Sequence, residues 1–311
     1  MRNFILILVL LAQFLSYSQS GVQQSPCVSD VVLKNLTDNY PEIKERLTFF
    51  EKSIIENRNN SSNKSSNTIP APGSITIPVV VYIVHDGTAL TDISDAQVTS
   101  QLTALNNYFL NTGIKFCLAT KANTTTLIPT VNTSEIQTTA GIIHINNPII
   151  SNHSSTSPNN LVATASPLIA KDRYLRIWVV KTIDGPSSGI LGYSMFPNTS
   201  PVFDGIVMRY DVFGNTNPNM LLNYNLGKVL VHEVGHYLGL YHTFEGGCST
   251  NLNDCMLDGD RVCDTPTVAA PNFNCVNGTN SCLETPILQD DYPIIWIMEI
   301  IIVKIILPMD K

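Results

Sequence analysis

The sequence predicts an α+β fold: a twisted mixed sheet, one helix that carries a histidine cluster, and a loop-rich, cysteine-bearing C-terminal part. Three observations predict it. Apolar runs rich in β-branched residues recur between Ile77 and Tyr210, separated by long Thr/Asn/Pro-rich loops. An amphipathic stretch follows the first run, and LGKVLVHEVGHYLGL, with no internal proline and apolar positions at helical spacing, follows the last. Cysteines then cluster at positions 248, 255, 263, 275 and 282. Charged residues are only 14% of the 311 and the net charge is −7, with no basic stripe. That composition argues against nucleic acid as a partner.

The chain opens on MRNFILILVLLAQFLSYSQS. Arg2, the apolar run Phe4 to Leu15 and the small residues Ser16, Ser18 and Ser20 predict a signal peptide over residues 1–20. The alternative, an uncleaved anchor, is disfavoured because the run falls short of the ~20 residues that span a bilayer. The expected location is therefore extracellular, with no membrane association after cleavage, and the expected state is a monomer. Residues 21–74 hold a helical segment, YPEIKERLTFFEKSIIE, and a Ser/Asn tract that ends in Pro and Gly. The tract reads as a linker because it offers too little apolar surface to bury. A propeptide and a plain N-terminal extension both fit this segment.

IPVVVYIV, from Ile77, is apolar on both faces and predicts a buried strand. SDAQVTSQLTALNNYF predicts a helix whose Ser94 and Gln97 are spaced as a capping box. Its Val98, Leu102, Leu105 and Phe109 fall on one face. GIKFCLA, RYLRIWVVKT and FDGIVMRY predict further strands.

In HEVGHYLGLYH the first two histidines, His232 and His236, leave one helical face a turn apart and can share a zinc ion at ~2.0–2.1 Å. Glu233 is placed to act as general base on water at the metal. Gly239 allows a positive φ, so the helix can end there and the chain can bring His242 round as third ligand. A short HExxH also arises by chance, but here the longer pattern HExxHxxGxxH is complete.

The longer pattern is that of metzincins. HEVGHYLGLYHTFEGGC followed by GDRVCDTP resembles the pappalysin family, and upstream IPVVVYIVH, ISDAQVTSQLTALNNYF, YLRIWV and ILGYSMFP are similar too. The resemblance covers residues 75–283 and implies a metzincin-like catalytic domain with zinc, disulfides and often structural calcium. It implies pairing of Cys248 with Cys282, and of Cys275 with a later cysteine, which leaves Cys255 and Cys263 as a local bridge. Asp254, Asp258, Asp260 and Asp264 are oxygen donors suited to calcium, or simply a solvated loop. Cys27 fits a latency role, its thiolate capping the zinc, a disulfide to Cys117, or no structural role.

The family's domain continues with a methionine turn close to NYMDY, then a cysteine and FTxGQ. Residues 284–311 depart from this and end in YPIIWIMEIIIVKIILPMDK. Read in the frame that starts at each codon's third base, the coding bases from Pro293 force Asp across Trp296 and Ile297. They force Gly across Met298 and Glu299, and again across Met309 and Asp310. The remaining codons permit NYMDYGNNNCKNNFTYGQ, which predicts a single-base shift near Pro293. An even cysteine count would follow from the odd seven. The chain as written is expected to fold poorly or show negligible activity.

The expected function is secreted zinc-dependent endopeptidase acting on polypeptides. The alternatives are a catalytically inactive metal-binding or adhesion module and a zinc hydrolase of non-peptide bonds.

Overall fold

The computed structural model describes residues 26–61, 71, 73–119, 136–139, 141–164, 171–200, 202–216, 219–248, 259–262, 265–271 and 281–282. The predicted signal peptide, the C-terminal tail, Cys255, Cys263, Cys275, Asp254, Asp258 and Asp264 lie outside these residues.

Two helices come first, α1 (Ser29–Asn39) and α2 (Pro41–Ser61). The sequence pattern points to the second alone. Helix α1 buries only a narrow stripe, with Val32 packed into the core that includes Val80 and Trp178 and Leu33 clustered with Leu47, Phe196 and Tyr241. That stripe gains meaning from tertiary contacts, which no local periodicity reports. Strand β1 (Ile75–His85) follows, then helix α3 (Asp95–Tyr108) and strand β2 (Ile114–Leu118). Strands β3 (Ile136–Thr139), β4 (Ile142–Asn146) and β5 (Asn152–His153) precede a short helix α4 (Asn159–Thr164). Strands β6 (Leu175–Val180), β7 (Thr182–Ile183), β8 (Gly192–Ser194) and β9 (Ile206–Arg209) lead to helix α5 (Lys228–Tyr237).

The main sheet runs β3-β4-β1-β6-β9-β8, with β2 also paired to β1. Strand β1 is parallel to β2, β4 and β6, and β6 to β9, whereas β3 and β8 pair antiparallel with their neighbours. This is the mixed sheet the sequence predicts. Val79 through Val84 are each at most 1% exposed, as a central strand covered on both faces must be. Alternation divides them. Val79, Val81 and Ile83 join the core beneath α3 and α5, together with Val98, Leu102, Leu105, Phe109, Leu230 and Val234. Val80, Tyr82 and Val84 face the other layer, where Tyr82 stacks on Trp178 at 5.2 Å and Trp178 meets Phe203 at 4.8 Å.

Ser94 Oγ accepts the Gln97 N–H at 3.3 Å and caps α3. The Gln97 side-chain amide nitrogen also donates to the Tyr210 and Phe213 carbonyls. Gln101 adds bonds to Gly214 and Gly227, so α3 holds the segment that leads into α5. A disulfide joins Cys248 to Cys282 across a sequence separation of 34.

Candidate metal centre

Helix α5 projects His232, Glu233 and His236 toward the edge of the sheet formed by β8. The chain leaves the helix through Gly239, whose φ of +96° turns it sharply, and His242 comes back beside the helical pair. The Nε2 atoms of His232 and His236 face each other at 3.1 Å. Tetrahedral zinc ligands at ~2.0–2.1 Å lie ~3.3 Å apart, so this spacing fits one ion. His236 Nδ1 lies 2.8 Å from the Leu240 carbonyl, and a hydrogen bond donated there leaves Nε2 as the ligating atom.

Burial lowers the pKa of all three imidazoles: His232 well below its usual value, His236 to about 3 and His242 to about 4. The rings are thereby neutral, as metal ligation requires. Together with Cys27 they form one group, each offering a ligand atom within 4.8 Å of the others. The donor set of three imidazoles and one thiol fits zinc.

Cys27 reaches the site because the chain ahead of α1 lies along the free edge of β8. The Leu191 N–H donates to the Pro26 carbonyl at 2.8 Å, and Cys27 bridges Gly192 in parallel sense. Gly192 is needed there. A Cβ on it would meet Met208 Sδ at 2.9 Å, the Val207 carbonyl at 3.1 Å and Glu233 Cγ at 3.3 Å. The alternative disulfide to Cys117 does not form, since Cys117 sits on β2 with β1, β6 and β9 intervening.

Glu233 is fully buried. Its Oε2 accepts the Ser29 hydroxyl at 3.0 Å and lies 3.6 Å from Cys27 Sγ, while Ser29 Oγ accepts the Ser194 N–H at 2.8 Å. Its Oε1 is buried with no hydrogen-bond partner among the described residues. Burial pushes the carboxyl up to about 8, against the Ser29 and Cys27 hydrogen bonds. Burial and the neighbouring Glu233 charge likewise push the Cys27 thiol up. A bound dication reverses that direction for a ligating thiol.

Several residues here escaped the sequence reading. Ser29 is one, Gly192 another, and Asp30 a third, grouped with His242 and Glu245. Glu51 is a fourth: it accepts from the Tyr241 hydroxyl at 2.6 Å and pairs with Arg261. No short-range pattern marks them, because every partner is distant in sequence. Asp260, read as a calcium donor, turns its carboxylate into its own loop. Oδ1 takes the Val262 N–H at 3.0 Å and Oδ2 the Thr265 hydroxyl at 2.6 Å.

Residues 168–294 match the family model of the M43 peptidases described as pregnancy-associated plasma protein-A. An extracellular metalloprotease of Pyricularia oryzae is 31% identical over 255 residues, 79% of this chain and 75% of that one. The chain belongs to the pappalysin family. A second relative, an extracellular metalloprotease of Colletotrichum graminicola, is 29% identical over 73% of this chain and 70% of its own. Among solved structures, a promirolysin mutant of Tannerella forsythia superposes with a TM-score of 0.57 at 27% identity, covering 79% of this pappalysin and 77% of that chain. Family membership makes the protein a metalloendopeptidase of metzincin architecture. Among the described residues, no helix is long and apolar enough to cross a membrane.

Proposed function

We propose that this pappalysin is an exported zinc endopeptidase held latent by its own N-terminal segment. In this reading His232, His236 and His242 hold zinc and Cys27 takes the fourth position. Zinc, when bound, supplies a Lewis acid that makes water nucleophilic near neutral pH. Glu233 takes the proton from the attacking water and passes it to the leaving amine. The edge of β8 offers its backbone groups to an extended polypeptide substrate as to an added strand.

The observation that carries the reading is the gathering of Cys27 with the three histidines, while Ser29 covers the general base. Ser29 holds Glu233 Oε2 at 3.0 Å and Cys27 Sγ lies 3.6 Å from the same oxygen, so the segment occupies the general base while it is docked. Removal of the segment then restores the ligand position, the base and the strand edge together. The relatives named as extracellular support export, and the promirolysin likeness over 79% of the chain supports a proenzyme.

The end of the family match at residue 294 supports the reading of the chain from about Pro293 onward as a shifted frame. Resequencing from the Cys282 codon onward decides that point. A calcium ion in the 254–264 loop completes the proposal, and EGTA that leaves the melting temperature unchanged removes it.

The functional test uses the zinc-loaded chain, as written and with the frame restored after Pro293, each cut between residues 62 and 74. The restored chain should cleave denatured casein, and its Glu233→Ala variant should not. A restored chain that binds zinc, loses its N-terminal segment and still cleaves nothing favours the inactive module.

A further inference from the structure

The N-terminal segment covers more than the metal. Leu33 of α1 and Leu47 of α2 close over Phe196 and Tyr241, all four at most 9% exposed. Phe196 touches both Tyr241, at 4.7 Å between ring centres, and the ligand candidate His236, at 5.3 Å. Tyr241 directly precedes His242. This patch therefore lies one ring away from the metal centre.

At its rim the catalytic domain builds a receptor for a carboxylate. The Tyr241 hydroxyl and Arg261 Nη1 converge on one oxygen of Glu51, from α2. The guanidinium is held over the Tyr241 ring, 3.9 Å from its centre. Arg261 adopts φ +63°, a region unfavourable for an arginine and tolerated where the surroundings enforce it. Glu51 does not fill this receptor. It engages a single oxygen, and Arg261 Nε remains buried without a hydrogen-bond partner among the described residues. A carboxylate free of a helix can take Nε and Nη together in the two-pronged geometry that guanidinium favours.

We propose that Arg261 and Tyr241 form a substrate subsite that selects an acidic side chain, with Glu51 as its resident in the latent form. The inference rests on the reading of residues 26–61 as a displaceable segment of a protease. The occupant is a polypeptide because the segment itself runs in one piece from the β8 edge, at Cys27, to this receptor, at Glu51.

The test uses the zinc-loaded Glu233→Ala chain, cut between residues 62 and 74, so that binding is read without turnover. Labelled peptides carry a single Glu moved position by position, each beside its Gln counterpart and each as both C-terminal acid and C-terminal amide. Fluorescence anisotropy should show one position where Glu binds about 10- to 100-fold tighter than Gln, the range for a hydrogen-bonded charge. Arg261→Gln should bring that ratio to about 1, and Tyr241→Phe, which keeps the ring, should reduce it severalfold. Equal binding of Glu and Gln at every position overturns the inference, as does a ratio that survives Arg261→Gln. A preference seen only in the C-terminal acids assigns the receptor to a chain terminus and overturns the side-chain assignment. A segment that stays bound after the cut, undisplaced by excess Glu peptide, overturns it as well. The casein assay judges the protease reading separately: no cleavage with a retained Glu preference sinks that reading and leaves the receptor.

Discussion

Replacing Ser29 with alanine removes one hydroxyl that serves the Ser194 amide and Glu233, besides accepting a weak bond from Cys27 Sγ at 3.3 Å. Ser29 Oγ accepts the Ser194 N–H at 2.8 Å and donates to Glu233 Oε2 at 3.0 Å, and both serine and glutamate are fully buried. A buried polar group left without its partner costs about 1–3 kcal/mol. Two such groups set an upper range of about 6 kcal/mol. Cys27 Sγ, 3.6 Å from Oε2, retains a weak bond, which brings the expected loss of docking free energy to about 2–4 kcal/mol. At ~1.4 kcal/mol per decade this raises the undocked population about 30- to 1,000-fold. The segment shields the Leu191 and Ser194 amides in the docked state. Hydrogen exchange at Leu191, whose bond to Pro26 the substitution leaves in place, therefore reads undocking alone. Exchange there should accelerate by the same factor in Ser29→Ala. Thr37→Ala, on the same helix but bonded only to backbone carbonyls, should leave it unchanged. A Leu191 rate within threefold of the parent in Ser29→Ala means that the hydroxyl does not hold the segment.

Other consequences are simpler to read. Replacing Cys248 and Cys282 with serine reopens a separation of 34 residues and should cost about 4 kcal/mol in the chain-entropy account, seen as a lower melting temperature; an unchanged melt contradicts it. Trp178→Ala, which strips a fully buried ring from between Tyr82 and Phe203, should destabilise the domain by about 3–5 kcal/mol in urea unfolding, and a loss under 1 contradicts the packing account. His153, buried against the Tyr193 hydroxyl at 2.7 Å, has its pKa lowered by burial to about 4 from 6.5. Its neutral ring thus contributes stability that is complete above pH 6.5 and is lost as the pH falls through 4, about 3 kcal/mol in all. The non-titrating His153→Gln should lack that acid-side loss, and parallel stability curves for the two chains between pH 7 and 4 rule it out.

How much of this was legible in the sequence depends on how far apart the interacting residues lie. The β1 run announces itself because every residue from Val79 to Val84 is buried, so no alternation is needed. His232, His236 and Gly239 are legible because a helical turn and a positive φ are local properties. His242 needs only the turn at Gly239. Helix α1 was missed because its buried stripe is narrow and gains its meaning from β8 and α2. The Ser94 cap is local and legible, whereas the bonds from Gln97 to the carbonyls of Tyr210 and Phe213 are long-range and are not. Ser29 with Glu233, and Glu51 with Arg261, are long-range pairs between unremarkable residues, and composition cannot reveal them. Asp260 accepts from the Val262 N–H and the Thr265 hydroxyl inside its own loop, bonds that the acidic pattern of the sequence does not announce.

In the proposed latent form the N-terminal segment closes a three-histidine zinc site with its own sulfur, and zinc-edge X-ray absorption on the intact, uncut chain reads that sulfur. Three nitrogen ligands at ~2.0–2.1 Å and one sulfur at ~2.3 Å are expected, with the sulfur lost in Cys27→Ser. A first shell of nitrogen and oxygen alone in the intact chain rules the closure out.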